Sequence, residues 1–142
     1  MKFTTEQQSI DYFIYWIKQH CGNGVNVKQS TTYDYYDVEM TNGGGKIIRY
    51  ELKRRNLNHN EHNDAVMEEY KYLNFINDLR NGTIHYGYLV CFFNDIMTLS
   101  DVTKPIEIFN TKAKKTTEFT NGLVVEKRFV RYNQDYKINY TL

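Results

Sequence analysis

Hydrophobic residues near the start of the chain recur every three or four positions, which is the spacing of one face of an α-helix. The residues that form this face are Ile10, Phe13, Ile14 and Ile17. Thr4 or Thr5 can cap the helix, because Gln7 or Gln8 stands three residues further on, as in a capping box. Cys21-Gly22 should end it, since glycine is a common residue just beyond a helix.

A second helical pattern is followed by a fully apolar strand pattern. Asn63 should cap a helix that runs to about Arg80. Asn81-Gly82 ends it, and Ile84 to Phe93 is apolar at almost every position, as in a strand covered on both faces. A strand, a helix and a second strand in this order predict a right-handed parallel crossover.

The stretch from Tyr33 to Arg55 predicts an antiparallel hairpin. Its turn is Asn42 to Gly45, because a run of glycines reaches the backbone conformations that tight turns need. With the turn centred near Gly44, Asp37 lies opposite Glu51. The hairpin, the parallel strand and the two helices together predict an α/β fold with a central mixed sheet flanked by helices.

The last third of the chain predicts short strands. These are Ile96 to Leu99, Ile106 to Phe109, Leu123 to Tyr132 after an Asn121-Gly122 turn, and an edge strand through Tyr136, Ile138 and Tyr140. At 142 residues the chain is long enough for one self-sufficient domain. We expect a single domain, residues 1–142, with a core at about 1–99 and a C-terminal β extension at about 100–142.

Charged residues concentrate at the open end of the hairpin. Strand side chains alternate between faces, so Glu51 and Lys53 share a face, and the register adds Asp37 to it. Two neighbouring carboxylates repel each other, so the arrangement is costly unless a metal ion or Lys53 lies between them. A cross-strand salt-bridge cluster on a solvated sheet face is the alternative interpretation.

This pattern, an Asp early in the second strand and Glu-x-Lys late in the third, resembles the PD-(D/E)xK nuclease superfamily, which includes restriction endonucleases and Holliday junction resolvases. The resemblance implies the restriction endonuclease-like core, αβββαβ. It implies that Asp37, Glu51 and the carbonyl of Leu52 hold Mg²⁺, for which Mn²⁺ can substitute, and that Lys53 orients or activates the attacking water. Tyr36 stands where the family often has proline, and Asp34 is a rival for the first acid.

Two further glutamates match the family more loosely. Glu6 corresponds to a first-helix glutamate that faces the metal site in many relatives, and it also suits the helix dipole without any site. On the second helix, Glu69 with Tyr72, or Glu68 with Tyr72, is the nearest equivalent of a supporting glutamine. Glu/Asp-x-Lys occurs three times in the chain, but only the first copy follows a hairpin and precedes a long helix.

Basic residues are unevenly placed although the net charge is only +1. Local basic patches are what a phosphate backbone requires, whatever the total charge. The candidates for nucleic-acid binding are Arg49, Arg54 and Arg55 beside the hairpin, and Lys112, Lys114 and Lys115 near the C-terminal strands. A solvated protein face would carry similar residues.

Cysteine usage and hydropathy indicate a cytoplasmic protein. Only Cys21 and Cys91 occur, which suits reduced thiols. No apolar run approaches the roughly 18 residues of a membrane span, and no export signal is seen at the N-terminus. No Cys/His set has zinc spacing, so oxygen ligands and Mg²⁺ are favoured.

The sequence therefore predicts a Mg²⁺-dependent endonuclease or resolvase-type enzyme that hydrolyses phosphodiester bonds, with DNA favoured over RNA. A homodimer would let so small a domain cut both strands of a duplex. One alternative is a nucleic-acid or protein binding module with the same fold and no cleavage. Another is a phage or mobile-element accessory protein without a nucleic-acid role.

Overall fold

The computed structural model describes residues 3–61, 65–114 and 124–140, without the side chains of 112–114, 124 and 125. Within these ranges it has two helices, α1 (Glu6–Cys21) and α2 (Glu69–Arg80). Its strands are β1 (Asn26–Gln29), β2 (Val38–Thr41), β3 (Ile47–Arg54), β4 (Val66–Glu68), β5 (Tyr86–Phe92), β6 (Ile96–Asp101), β7 (Pro105–Lys114), β8 (Val124–Tyr132) and β9 (Tyr136–Asn139).

The main sheet has six strands in the order β1-β2-β3-β5-β6-β9. The β3 and β5 strands are parallel, whereas the other neighbours are antiparallel. The predicted mixed sheet with a helical crossover is therefore confirmed. A second sheet, β4-β8-β7, lies beside it. In the parts of the chain that the structure describes, no helix is long and apolar enough to cross a membrane.

Helix α1 follows its predicted caps. Thr5 is the N-cap, and its side chain and that of Gln8 exchange hydrogen bonds with each other's backbone amides in a capping box. Gly22 ends the helix, with its amide donating to the Lys18 carbonyl and a positive φ of 82°. Phe13 and Ile17 are fully buried, so the predicted apolar face is the one that packs on the sheet.

The hairpin has the predicted register. Its turn is closed by the Gly45 amide, which donates to the Asn42 carbonyl at 3.0 Å. Val38 pairs with Tyr50, so the next position outward brings Asp37 opposite Glu51. The Asp37 amide continues the ladder by donating to the Tyr50 carbonyl at 2.9 Å. The carboxyl group of Asp37 therefore has a fixed place at the open end of the hairpin.

The predicted start of the second helix is wrong. Val66 to Glu68 form β4, which pairs with Phe129 to Arg131 of β8, and α2 begins only at Glu69. A strand partner about sixty residues later in the chain supplies hydrogen bonds that the local helical spacing does not reveal. Asn63, the expected cap, lies outside the described residues, as does the predicted Asn121-Gly122 turn.

The two faces of the main sheet are covered by different helices. Phe13 of α1 packs in one cluster with Tyr50 and Phe92, and Phe75 of α2 packs in another with Leu89. Residues of β3 and β5 alternate between these clusters, as the period of two requires. The face that carries Glu51 and Lys53 is consequently the face on which α2 lies.

Gly87 allows α2 to approach β5. A Cβ at this position would lie 2.7 Å from a ring carbon of Phe75 and 2.8 Å from a methyl carbon of Val102. Both neighbours are fully buried, so neither can move away easily. Glycine is therefore required here by packing, and it sets how closely α2 lies against the sheet.

We expect Gly87→Ala to lower the free energy of unfolding by about 1 to 3 kcal/mol, because the added methyl group overpacks this contact. Gly43→Ala is the matched control, since a Cβ there has no atom within 4 Å and the backbone does not require glycine. Urea denaturation of both variants checks the prediction. Equal midpoints for the two would show that the contact with Phe75 does not constrain the sheet.

Candidate active site

Asp37 is held by hydrogen bonds through both its main chain and its side chain. Its carbonyl accepts from the Ser30 amide at 2.9 Å, which joins it to the segment after β1. Its Oδ2 accepts from the Leu52 amide at 2.8 Å. The Asp37 carboxyl group is therefore tied to the main chain of the residue that follows Glu51, so the two acids lie together as the register predicts.

Glu51 is a buried acid, with 3% of its surface exposed. Burial, together with the hydrogen-bonded Asp37 carboxyl group, raises the pKa of Glu51 to about 8. Lys71 of α2 opposes this shift, since its Nζ lies 2.6 Å from Glu51 Oε2. The pair of acids is thus costly in its doubly ionised form and is partly neutralised by a lysine from the neighbouring helix.

Lys53 faces a different carboxylate. Its Nζ donates to both oxygens of Glu68, at 2.9 and 3.0 Å. Glu68 also lies 3.6 Å from Lys71. Burial raises the pKa of Glu68, but the two lysines outweigh it and hold that pKa at about 2. Glu51, Lys71, Glu68 and Lys53 therefore form one alternating network of charges.

These groups line an open cleft of about 340 Å³, which we call the carboxylate cleft. Its lining residues are Glu6, Ser9, Asp37, Glu51, Leu52, Lys53, Arg54 and Lys71. Glu6 is exposed in the first turn of α1, and the hydroxyl of the buried Ser9 donates to the Glu6 carbonyl at 2.7 Å. Five predicted site residues, namely Glu6, Asp37, Glu51, Leu52 and Lys53, thus meet in one place.

The other candidate acids lie elsewhere. The carboxylate of Glu69 accepts from Arg128 of β8 at 3.0 Å, and it lines a separate groove with Tyr70 and Lys127. Asp34, the rival first acid, accepts from the amide and hydroxyl of Thr31 in a local turn. Neither carboxylate lines the carboxylate cleft, because each points into a surface contact of its own.

The predicted basic residues divide in the same way. Arg54 lines the carboxylate cleft, and Arg55 donates to the Val66 carbonyl at 3.5 Å. Arg49 is not at the cleft, because its guanidinium is bound by Glu39, Asp78 and the Tyr35 hydroxyl. Lys115 and the side chains of Lys112 and Lys114 lie outside the described residues.

Sequence reasoning missed Lys71. It belongs to the second Glu-x-Lys tripeptide, Glu69-Tyr70-Lys71, which has no hairpin before it. The tripeptide was the sequence feature that could have drawn attention to Lys71. Its place on a helix, however, does not indicate which strand the lysine reaches. Ser9 was also missed, and Glu68 was considered only as a partner of Tyr72.

The carboxylate cleft offers oxygen ligands alone. Asp37 and Glu51 supply its paired carboxyl groups, the carbonyl of Leu52 is the further expected ligand, and the exposed Glu6 lines the cleft as well. In residues 3–61, 65–114 and 124–140 no three His, Cys, Asp or Glu side chains converge closely enough to hold a metal ion. Mg²⁺ usually binds through one or two carboxylates and keeps several waters, so this donor set fits such an ion without a third acid.

The chain resembles known proteins in its structure. No protein-family model matches the chain, and no curated protein sequence is significantly similar to it. Among solved structures it is similar to Hjc, a Holliday junction resolvase from the archaeal hyperthermophile Archaeoglobus fulgidus, with a TM-score of 0.54. The identity is 10%, over 95% of this chain and 92% of that chain. The chain has a restriction endonuclease-like fold.

That restriction endonuclease-like fold confirms the predicted fold class. The similarity extends over almost the whole chain, so it includes the hairpin, α2 and strands of the C-terminal third. At 10% identity it is a similarity of fold alone. The roles of the individual cleft residues remain predictions.

The raised pKa of Glu51 predicts a pH-dependent stability. In the unfolded chain its carboxyl group ionises near its ordinary value of 4.5, and in the folded chain near 8. Between these values the folded state holds the extra proton, so the free energy of unfolding should fall as pH rises from about 5 to 8. Glu51→Gln, which cannot ionise, should lack this fall and should exceed the wild type in stability at pH 8.

Urea denaturation of both proteins across this range, in the presence of a chelator, measures the effect. The difference between the wild type and Glu51→Gln in free energy of unfolding, plotted against pH, isolates Glu51 from other titrating groups. A difference that does not change with pH would mean that the Glu51 carboxyl group ionises alike in the folded and unfolded states.

Proposed function

We propose that the protein is a Mg²⁺-dependent nuclease that hydrolyses phosphodiester bonds, with DNA favoured over RNA. The observation that carries this proposal is the meeting of Asp37 and Glu51 beside the Leu52 main chain, in an open cleft. Two adjacent acids, one of them buried, are unfavourable for folding, so their presence at a cleft suits a functional site. The fold shared with a Holliday junction resolvase supports the same conclusion.

Asp37, Glu51 and the Leu52 carbonyl would hold the metal ion. When bound, a divalent ion polarises a phosphate oxygen and lowers the pKa of a coordinated water. The chain itself fixes the position of Asp37, because its amide, its carbonyl and its carboxyl group each make a hydrogen bond to a main-chain group.

Arg54 is the cationic side chain that would bind a substrate phosphate, since it lines the same opening. Lys53 lines the opening too, but its ammonium group is bonded to Glu68. A guanidinium group can contact two phosphate oxygens at once, whereas an ammonium group acts as a point charge. Glu6, which also lines the cleft, would add a carboxylate near the approaching phosphate or water.

The substrate class is the finer part of this proposal. The similar resolvase is named for its action on Holliday junctions, which makes branched DNA the first substrate to test. One cleft cuts one strand, so cleavage of both strands would require two copies of the chain or two binding events. A homodimer on DNA is the simpler arrangement, and sedimentation with substrate would detect it.

A binding module without cleavage is the second candidate. It is favoured by the charge network, in which Lys71 neutralises Glu51 and Lys53 neutralises Glu68. Ion pairing among these four side chains is also typical of a structural cluster. This alternative predicts nucleic-acid or protein binding that is unaffected by divalent ions or chelator.

We expect Asp37→Asn to reduce cleavage by about a hundredfold or more, because it removes one of the two negatively charged side chains proposed to bind the metal ion. Asp34→Asn is the matched control. It makes the same chemical change three residues away, on an exposed side chain that does not line the cleft. Its cleavage rate should stay within about threefold of the wild type.

The assay incubates each protein with labelled branched DNA, duplex, single strands and RNA, with Mg²⁺ or Mn²⁺ and with chelator. Wild-type cleavage that persists in chelator would contradict a metal-dependent mechanism. Equal losses in the two Asp variants would contradict the assignment of Asp37. Binding without any cleavage would leave the second candidate as the function.

A further inference from the structure

Two lysines approach the carboxylate cleft, and they end on different acids. Lys71 reaches from α2 to Glu51, with 2.6 Å between Nζ and Oε2. Lys53, the lysine of the Glu-x-Lys strand motif, is turned to Glu68 and bonded to both of its oxygens. The lysine in contact with the acid pair is therefore Lys71 of α2, and not Lys53 of the strand motif.

The position of Lys71 is set by tight packing. Phe75, one turn further along α2, is fully buried and lies against Gly87 with no room for even a methyl group. The helix consequently has little freedom to move relative to β5. The Lys71 side chain is itself largely buried, with 17% of its surface exposed, so it has few other directions in which to point.

We propose that Lys71, rather than Lys53, is the lysine that acts on the phosphate or water at the Asp37 and Glu51 pair. We further propose that Glu68 is a positioning residue that holds Lys53 away from this pair. Both statements rest on the nuclease function proposed above. In this arrangement the active-site lysine is Lys71 of α2, in place of Lys53 of the strand motif.

Hydrogen-bonding capacity supports this assignment. An ammonium group has three donors, and Glu68 takes two from Lys53 in short, charge-assisted bonds. Releasing Lys53 toward the substrate would break both bonds and leave the half-buried Glu68 with the more distant Lys71 as its ion-pair partner among the described residues. Lys71 needs no such movement, since it already lies at the acid that would bind the metal ion.

The same contact predicts an effect on metal affinity. Lys71 and a divalent cation are both attracted to Glu51, so they compete for one carboxylate. Removing the lysine charge should therefore tighten cation binding, even though it slows cleavage. Removing Lys53 should change cation binding much less, because its charge is already neutralised by Glu68.

The test compares Lys71→Met, Lys53→Met and, as a control, Lys18→Met, whose lysine is exposed in the last turn of α1. We measure single-turnover cleavage of branched DNA in Mn²⁺, and calorimetric binding of Mn²⁺ without nucleic acid. Lys71→Met should lose about 10²- to 10³-fold in rate and bind Mn²⁺ about tenfold more tightly. Lys53→Met and Lys18→Met should each stay within about fivefold of the wild type in both measurements.

Glu68 is tested in the background of Lys71→Met. Adding Glu68→Gln removes the charge that holds Lys53, so Lys53 becomes free to approach the acids and should restore part of the lost rate. A purely structural role for Glu68 would give no such recovery. A double variant no faster than Lys71→Met would overturn the role given to Glu68.

Failure of this proposal and failure of the nuclease function give different results. If the wild type cleaves DNA while Lys53→Met loses activity and Lys71→Met keeps it, the lysine assignment is overturned and the nuclease function stands. If the wild type cleaves no substrate with any metal ion, the nuclease function itself is overturned. Should Lys71→Met fail to fold by circular dichroism, Lys71→Gln, which can still hydrogen-bond to Glu51, takes its place in both measurements.

Discussion

Two carboxyl groups that disfavour each other, those of Asp37 and Glu51, are brought together by the main chain of a hairpin. The Asp37 amide bonds to the Tyr50 carbonyl, and the Leu52 amide bonds to the Asp37 carboxyl group. The first bond extends the sheet ladder and the second holds the Asp37 side chain against β3, so separating the acids would break one or the other. Burial and, after it, the neighbouring Asp37 carboxyl group raise the pKa of Glu51, and Lys71 offsets this shift in part.

The rest of the fold supports this meeting point. Helix α2 brings Lys71 to the acids because Phe75 and Gly87 fix its distance from β5. Near the other end of α2, Asp78 is bonded to both Arg49 and Tyr35, which ties the helix to β3 and to the segment just before Asp37. Strand β4 ends in Glu68, immediately before α2, and so the second sheet also helps to place the charge network.

Local features could be predicted from the sequence, and contacts between distant elements could not. The turn at Asn42 to Gly45 fixes the hairpin register, because only a few residues separate its strands, and this was enough to place Asp37 opposite Glu51. The start of α2 was mistaken, since β4 depends on a partner strand in β8. Lys71 was missed for the same reason, because its contact depends on how a whole helix packs on the sheet.

We propose that the Asp37 and Glu51 pair binds a divalent cation. Crystals soaked in Mn²⁺ test this directly, because the anomalous signal of manganese locates the ion without assumptions about activity. We expect a manganese peak in contact with both carboxyl groups and the Leu52 carbonyl. A manganese peak elsewhere, or none at saturating Mn²⁺, would contradict it.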